Sequence, residues 1–194
     1  LPQLNAIKSL CNQHRLPLHL DGARVFNALK ASGEPAMAYG HIFDTISVCL
    51  SKGLGTPVGS VLVGSRTLIK KARRVRKVLG GGMRQAGYLA GAGIYALDHH
   101  IERLQEDHLR AQAIADALEG KSYVDEVLPV DTNIIIFSLK GTSTAAFLQK
   151  LRDENVLAIP FGKNEIRMVT HLDFDDSMLQ RVTEVLKKMD RQLV

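Results

Sequence analysis

The chain has 194 residues, 45% of them hydrophobic and 23% charged, a globular composition long enough for one domain or one and a half with a sizeable core. Its net charge of +5 comes from one segment, residues 66 to 84, where Arg66, Lys70, Lys71, Arg73, Arg74, Arg76, Lys77 and Arg84 stand without an acidic residue; the segment has no aromatic side chain for base stacking, which argues against nucleic acid and leaves room for a small anion. No apolar run reaches bilayer length, the N-terminus lacks a secretory layout, and Cys11 and Cys49 show no disulfide or zinc spacing, so a soluble protein of a reducing, cytoplasmic compartment, without a membrane partner, is expected.

In chain order, Leu4, Ile7, Leu10 and Cys11 fall at helical spacing. A short strand from Pro17 to Leu20 delivers Asp21 to its carboxyl end, and Ala23 to Leu29 reads as helix before a loop around Ser32, Gly33, Glu34 and Pro35. Ile42 to Leu50 reads as a buried strand ending at Ser51 and Lys52, and Gly59 to Val63 as a third strand, likewise buried. The basic segment from Arg66 predicts a helix that stops at Gly80, Gly81 and Gly82, because three successive glycines disfavour a helix interior. An Ala-rich helix follows from Arg84, then an amphipathic one through Ile101, Leu104, His108, Ala111, Ala115 and Leu118, ended by Gly120. His99, His100 and His108 read simply as helix residues, with no metal-ligand spacing.

Beyond Lys121 the pattern predicts strands at Tyr123 to Leu128 and Asn133 to Leu139, a helix at Ser143 to Glu154, strands at Val156 to Pro160 and Glu165 to Thr170, and a helix at Ser177 to Leu193. Met178, Val182, Val185 and Met189 give the last helix a stripe assigned to the core, with Asp175 or Asp176 as its N-cap. The expected organisation is therefore α/β: residues 1–120 hold part of a larger sheet with connecting helices, and residues 121–194 form a small α+β domain.

Asp21, Lys52 and Arg167 lie in or at the ends of apolar runs, where an ionised side chain needs a partner. The stretch S-V-C-L-S-K-G-L-G-T-P-V-G-S sets Lys52 between two apolar runs, which suits a phosphate-contacting cation, a Schiff-base nucleophile or an exposed turn lysine. A carboxylate beside a protonated pyridine nitrogen, an imine-forming lysine and a bidentate arginine would together make a pyridoxal-phosphate site. Lys77 and Arg84 flank the three glycines, whose backbone N–H groups are expected to offer an anion-binding concavity. His19 is read as facing away from Asp21, and His171 as sharing a strand face with Arg167.

The motifs H-L-D-G-A-R-V-F-N-A, S-V-C-L-S-K-G-L-G-T-P-V-G-S, R-K-V-L-G-G-G-M-R-Q-A-G and E-I-R-M-V-T-H-L-D follow one another in the order and register of the threonine aldolases. The chain resembles that family along nearly its whole length. The resemblance implies the aspartate-aminotransferase-like fold (fold type I), with residues 1–120 contributing to the large-domain sheet. It also implies pyridoxal 5'-phosphate as cofactor, and cleavage of L-threonine or L-allo-threonine to glycine and acetaldehyde. By motif, Lys52 resembles the imine lysine, Asp21 the partner of the pyridine nitrogen, Arg24 the arginine near the phenolic oxygen or the substrate, Arg167 the substrate-carboxylate clamp, and Lys77 a residue of the substrate site. A small amino acid as substrate and a homo-oligomer, dimer or tetramer, are further implications. The family's chains are longer at the N-terminus, so the sequence reads as a fragment. It is expected either to retain impaired aldol cleavage or to be an inactive remnant keeping folding and association surfaces.

Overall fold

The computed structural model describes residues 1–192, and these fall into two units, Leu1–Glu102 and a second beginning at Arg103. The predicted helix end at Leu193 lies outside the described residues. No helix among them is long and apolar enough to cross a membrane.

In the first unit, helix α1 (Pro2–Gln13) starts with proline in its first turn, where the missing N–H leaves no helical bond unmade. Strand β1 (His19–Gly22) follows, then α2 (Val25–Ser32), α3 (Ala36–Ile42), β2 (Thr45–Cys49), β3 (Ser60–Gly64), α4 (Arg66–Val78) and α5 (Gly87–His99). The sheet order is β1-β2-β3. β1 runs parallel to β2, with Asp21 beside Ser47 and Gly22 beside Val48, and β3 runs antiparallel to β2. Ile42, Phe43 and Ile46 form the buried cluster, with Leu1, Leu4, Leu18, Leu20, Tyr39 and Val48 packed against it. Asp44 ties the layers together by accepting the Leu18 N–H at 2.7 Å and the Lys8 ammonium at 2.8 Å. The Leu18 bond first, and Lys8 with it, hold its carboxyl below the usual range.

Three expectations for this unit change. The strand predicted from Ile42 begins instead at Thr45, because Ile42 is the buried last residue of α3 and Phe43 its C-cap. Tyr39 and Ile42 hold α3 on the core. The strand bearing Asp21 extends through Gly22. β3 is an exposed edge strand, with Val61, Leu62 and Val63 each more than 40% accessible.

The second unit contains α6 (Leu104–Leu118), β4 (Val124–Val127), β5 (Ile134–Leu139), α7 (Thr144–Asp153), β6 (Ile159–Phe161), β7 (Glu165–Val169) and α8 (Asp176–Gln192). Its sheet, in the order β4-β5-β7-β6, is antiparallel throughout. β5 alternates half-buried and buried positions, so Ile135, Phe137 and Leu139 join Ile166 and Met168 of β7 on one face. Helix residues complete that core: Ile114 and Leu118 of α6, Phe147 and Leu151 of α7, Val185 and Leu186 of α8. α6, which sequence reading grouped with residues 1–120, thus packs its stripe in the second unit's core. Asp175 caps α8 by accepting the Met178 N–H at 2.8 Å, as expected of one of the two candidates.

Met178 itself is 47% exposed and does not join the core assigned to it; the stripe begins at Val182. The strand expected at Val156 to Pro160 begins later, at Ile159, because Asn155 takes φ 59°. Val156 still reaches the core from the connecting segment. β6 and β7 pair Phe161 with Glu165 across a tight turn in which Gly162 (φ 59°) and Asn164 (φ 63°) are both left-handed.

Tyr123 is buried beside Phe147, ring centroids 5.2 Å apart, and its hydroxyl donates to the Leu186 carbonyl at 3.0 Å. Burial first, and the Asp190 carboxylate second, push this phenol well above its ordinary range. Since the folded pKa is raised, its contribution is complete below the unfolded phenol value of about 10 and is lost as pH climbs from there toward the folded value. Tyr123→Phe is therefore expected to lower stability at neutral pH by about 1 kcal/mol and to remove this part of the alkaline decline. Urea unfolding across a pH series measures both.

Candidate active site

β1 carries Asp21 to its carboxyl end, where Oδ1 accepts the Ala23 N–H at 3.1 Å and closes the turn into α2. The carboxylate is exposed and makes no ion pair among the described residues. Gly22 permits the turn: a Cβ there would stand 2.7 Å from the Ser47 carbonyl oxygen and 3.1 Å from Ile46 Cγ2. Arg24, half-buried, occupies the N-cap position of α2 with φ −135°. His19 corrects the expectation made for it: residues two apart on a strand share a face, and His19 and Asp21 are both exposed while Leu20 packs toward the core. The His19 ring contacts Thr45 Oγ1 through Nδ1 at 2.8 Å.

Lys52 sits in the loop leaving β2, exposed and without an ion pair among the described residues. The loop is closed from within: the Gly55 N–H donates to the Lys52 carbonyl at 2.9 Å, the Thr56 N–H to the Leu50 carbonyl at 3.1 Å, and the Leu50 N–H to Gly59 at 3.0 Å. Gly55 takes φ 71°, which accounts for a glycine at that point. Leu54 and Thr56 are buried, so the loop turns apolar and hydroxyl side chains inward and the amine outward. The Leu54 carbonyl also accepts the His100 Nδ1–H at 2.6 Å, a contact no local pattern signals, since 46 residues separate the two positions. Cys49, just upstream, lies 3.6 Å from Ser51 Oγ. Partial burial pushes its thiol up, but bonds from Ser51 and Ser60 and the Lys52 charge outweigh this and leave it below its ordinary value.

Lys77 lies in the last turn of α4, its stem folded over Gly82, where a Cβ would meet Lys77 Cδ at 2.8 Å. The anion concavity expected of the three glycines is corrected here. Gly80 is left-handed (φ 81°), and the N–H groups of Gly80 and Gly81 donate to Lys77 and Arg76 carbonyls at 3.2 and 2.8 Å. This is a Schellman cap. It consumes two of the three amides, so a concavity of three glycine N–H groups does not form.

In the second unit, Arg167 stands on β7 between Ile136 of β5 and Ile159 of β6. Its neighbours in sequence, Ile166 and Met168, are buried, so the guanidinium projects from the opposite sheet face, half-buried and without an ion pair among the described residues. β7 ends before His171, which is exposed and whose Nδ1 accepts the Asp173 N–H at 3.2 Å, so the shared strand face expected for His171 does not arise.

Asp21, near the end of β1, and Arg24 and Lys52, just past β1 and β2, thus lie at the carboxyl ends of a parallel strand pair, the usual place for chemistry in α/β sheets. Lys77 belongs to the same unit, and Arg167 to the other. An accepting carboxylate and an amine outside any ion pair suit a protonated pyridine ring that carries an aldehyde.

Comparison with known proteins places this architecture in fold type I of the pyridoxal-phosphate enzymes: the threonine aldolase of Leishmania major superposes with a TM-score of 0.75 at 20% identity, over 96% of this chain and 56% of that one. The sequence profile of the beta-eliminating lyases matches residues 1–142, and the chain belongs to that family, whose members depend on pyridoxal phosphate. The low specificity L-threonine aldolase of Escherichia coli K12 is 45% identical over 172 residues, covering 88% of this chain and 50% of its own length. Low-specificity L-threonine aldolase 1 of Arabidopsis thaliana is 44% identical over 169 residues, 85% of this chain and 47% of its own length. The chain spans about half the length of these relatives.

Gly22→Ala is expected to destabilise the protein by about 1–3 kcal/mol, because the obstacle is the backbone carbonyl of Ser47, which cannot rotate aside without disturbing the β1–β2 pairing. Chemical unfolding measures the loss. Gly40→Ala, with nothing within 4 Å of the added carbon, is the control and is expected to leave stability unchanged or slightly raised.

Proposed function

We propose that the chain belongs to a carbon–carbon lyase that uses pyridoxal 5'-phosphate to cleave small β-hydroxy-α-amino acids, L-threonine and L-allo-threonine, to glycine and acetaldehyde. The observation that carries this reading is the placement of Asp21 near the carboxyl end of β1 and of Lys52 just past that of β2, its parallel neighbour. The 45% identity to an L-threonine aldolase supports it.

When bound, the cofactor supplies an electron sink that lets the bond between Cα and Cβ of the amino acid break. Lys52 would hold it covalently through Nζ. Asp21, whose orientation is set by the Ala23 N–H, would accept the ring N–H and keep that proton in place. Arg24, at the head of α2, serves the phenolic oxygen or the substrate. Arg167 is the clamp for the substrate carboxylate, a role for which its planar fork and its freedom from ion pairs among the described residues suit it. Lys77 adds a cation on the substrate side. We assign the protein to a reducing, cytoplasmic setting, in keeping with Cys11 and Cys49 as free thiols, and to a homo-oligomer, dimer or tetramer.

The test begins with borohydride reduction in the presence of pyridoxal 5'-phosphate, followed by peptide mapping. A reduced adduct at Lys52 and release of glycine and acetaldehyde from L-threonine are expected. Lys52→Ala should abolish the adduct and lower turnover by about a thousandfold or more. Arg167→Lys should raise KM about tenfold or more with a smaller change in kcat. No adduct at Lys52 would instead favour a chain that keeps folding and association surfaces without catalysis.

A further inference from the structure

The Lys52 loop is held from outside by one helix at two points. At its start, Leu50 Cδ1 rests against α5 at Gly93, where an added Cβ would come within 3.3 Å of it. Two turns later on the same helix, His100 Nδ1 reaches the Leu54 carbonyl at 2.6 Å. Lys52 lies between these two anchors. The acceptor is a carbonyl, so Nδ1 carries the proton. His100 closes α5 with its own backbone N–H, which donates to the Ala96 carbonyl at 2.8 Å, so the ring is not needed as a cap. Tyr95 meets the ring edge-on, centroids 5.5 Å apart at 87°, and limits its rotation.

We propose that His100 is the positioning residue for Lys52: its Nδ1–H fixes the loop from Leu50 to Thr56 and so fixes the origin from which the Lys52 amine reaches the cofactor. The inference rests on Lys52 being the imine lysine. A long lysine stem has rotamer freedom to lose, and an anchored backbone leaves only that freedom to be restricted on bonding. A shift of the loop by a fraction of an ångström moves Nζ relative to its target, and displacements of that order change rates severely. The two amides that close the loop, those of Gly55 and Thr56, report whether the anchor holds, with or without cofactor.

The experiment compares two amide variants of the 194-residue chain. His100→Asn keeps a donor near the position of Nδ1; His100→Gln moves it outward toward that of Nε2. In His100→Gln, hydrogen exchange at the Gly55 and Thr56 amides is expected to quicken about tenfold, and borohydride trapping at Lys52 under saturating pyridoxal 5'-phosphate to slow by a similar factor. His100→Asn should stay within about threefold of the parent in both, while exchange in β5 and β7 stays unchanged in either variant. Equal behaviour of the two variants, whether both unaffected or both impaired, overturns the proposal. His100→Phe, a ring without a donor, stands in should the Gln variant fail to fold. If the parent itself forms no adduct at Lys52, the functional reading fails, and the exchange measurement still decides the role of His100 in holding the loop.

Discussion

The first unit depends on one close approach. Gly22 lies so near the Ser47 carbonyl that no side chain fits between them, and this nearness is what lets β1 run its full length beside β2 before turning. Asp21 owes its position to the residue after it. A bulkier residue would part the strands where the carboxylate must leave one and the lysine loop must leave the other. The chemistry assigned to Asp21 and Lys52 is therefore a property of two neighbouring strand ends, held together by backbone contact.

Around that pair the charges divide into those already satisfied and those kept available. Asp44, Lys8 and the Leu18 amide satisfy one another and join α1 to the sheet. In the second unit, Arg103 forms a two-point pair with the buried Asp107, the arrangement that makes a buried carboxylate tolerable. Asp21, Lys52 and Arg167 have no such ion pairs among the described residues. Of the three, Asp21 and Lys52 are exposed to solvent and Arg167 is half-buried, so all three are left available rather than locked into the fold.

Much of this was legible in the sequence, because the informative signals were local or carried by motifs. The apolar run within Asn133 to Leu139 gave β5, helical spacing gave the stripe of α6, and motif order gave the family. What failed to show was set by partners distant in sequence. α3 is held on the core by Tyr39 and Ile42. Met178 has the right spacing, yet the core begins one turn later. The glycine run announced available amides, and only the geometry of the helix end reveals that two of them fold back onto α4. His100 looked like an ordinary helix residue because its acceptor belongs to a distant loop. Asp21, Lys52 and Arg167 emerged as candidates because charge interrupts apolar runs there, Lys77 because it flanks the glycine run, whereas Arg24 rests on motif alone.

The hairpin between β6 and β7 has a consequence of phase. Side chains on a strand alternate in direction, so the span of the turn at Gly162 and Asn164 decides which β7 residues face the helices and which face away. Adding or removing one residue there would exchange Arg167 for Ile166 or Met168 on the open face and drive a guanidinium against Phe137 and Leu151. The left-handed backbone at Gly162 and Asn164 thus acts as a reading frame for β7. The direction in which the second unit presents its positive charge is set by a turn that carries no part of that charge.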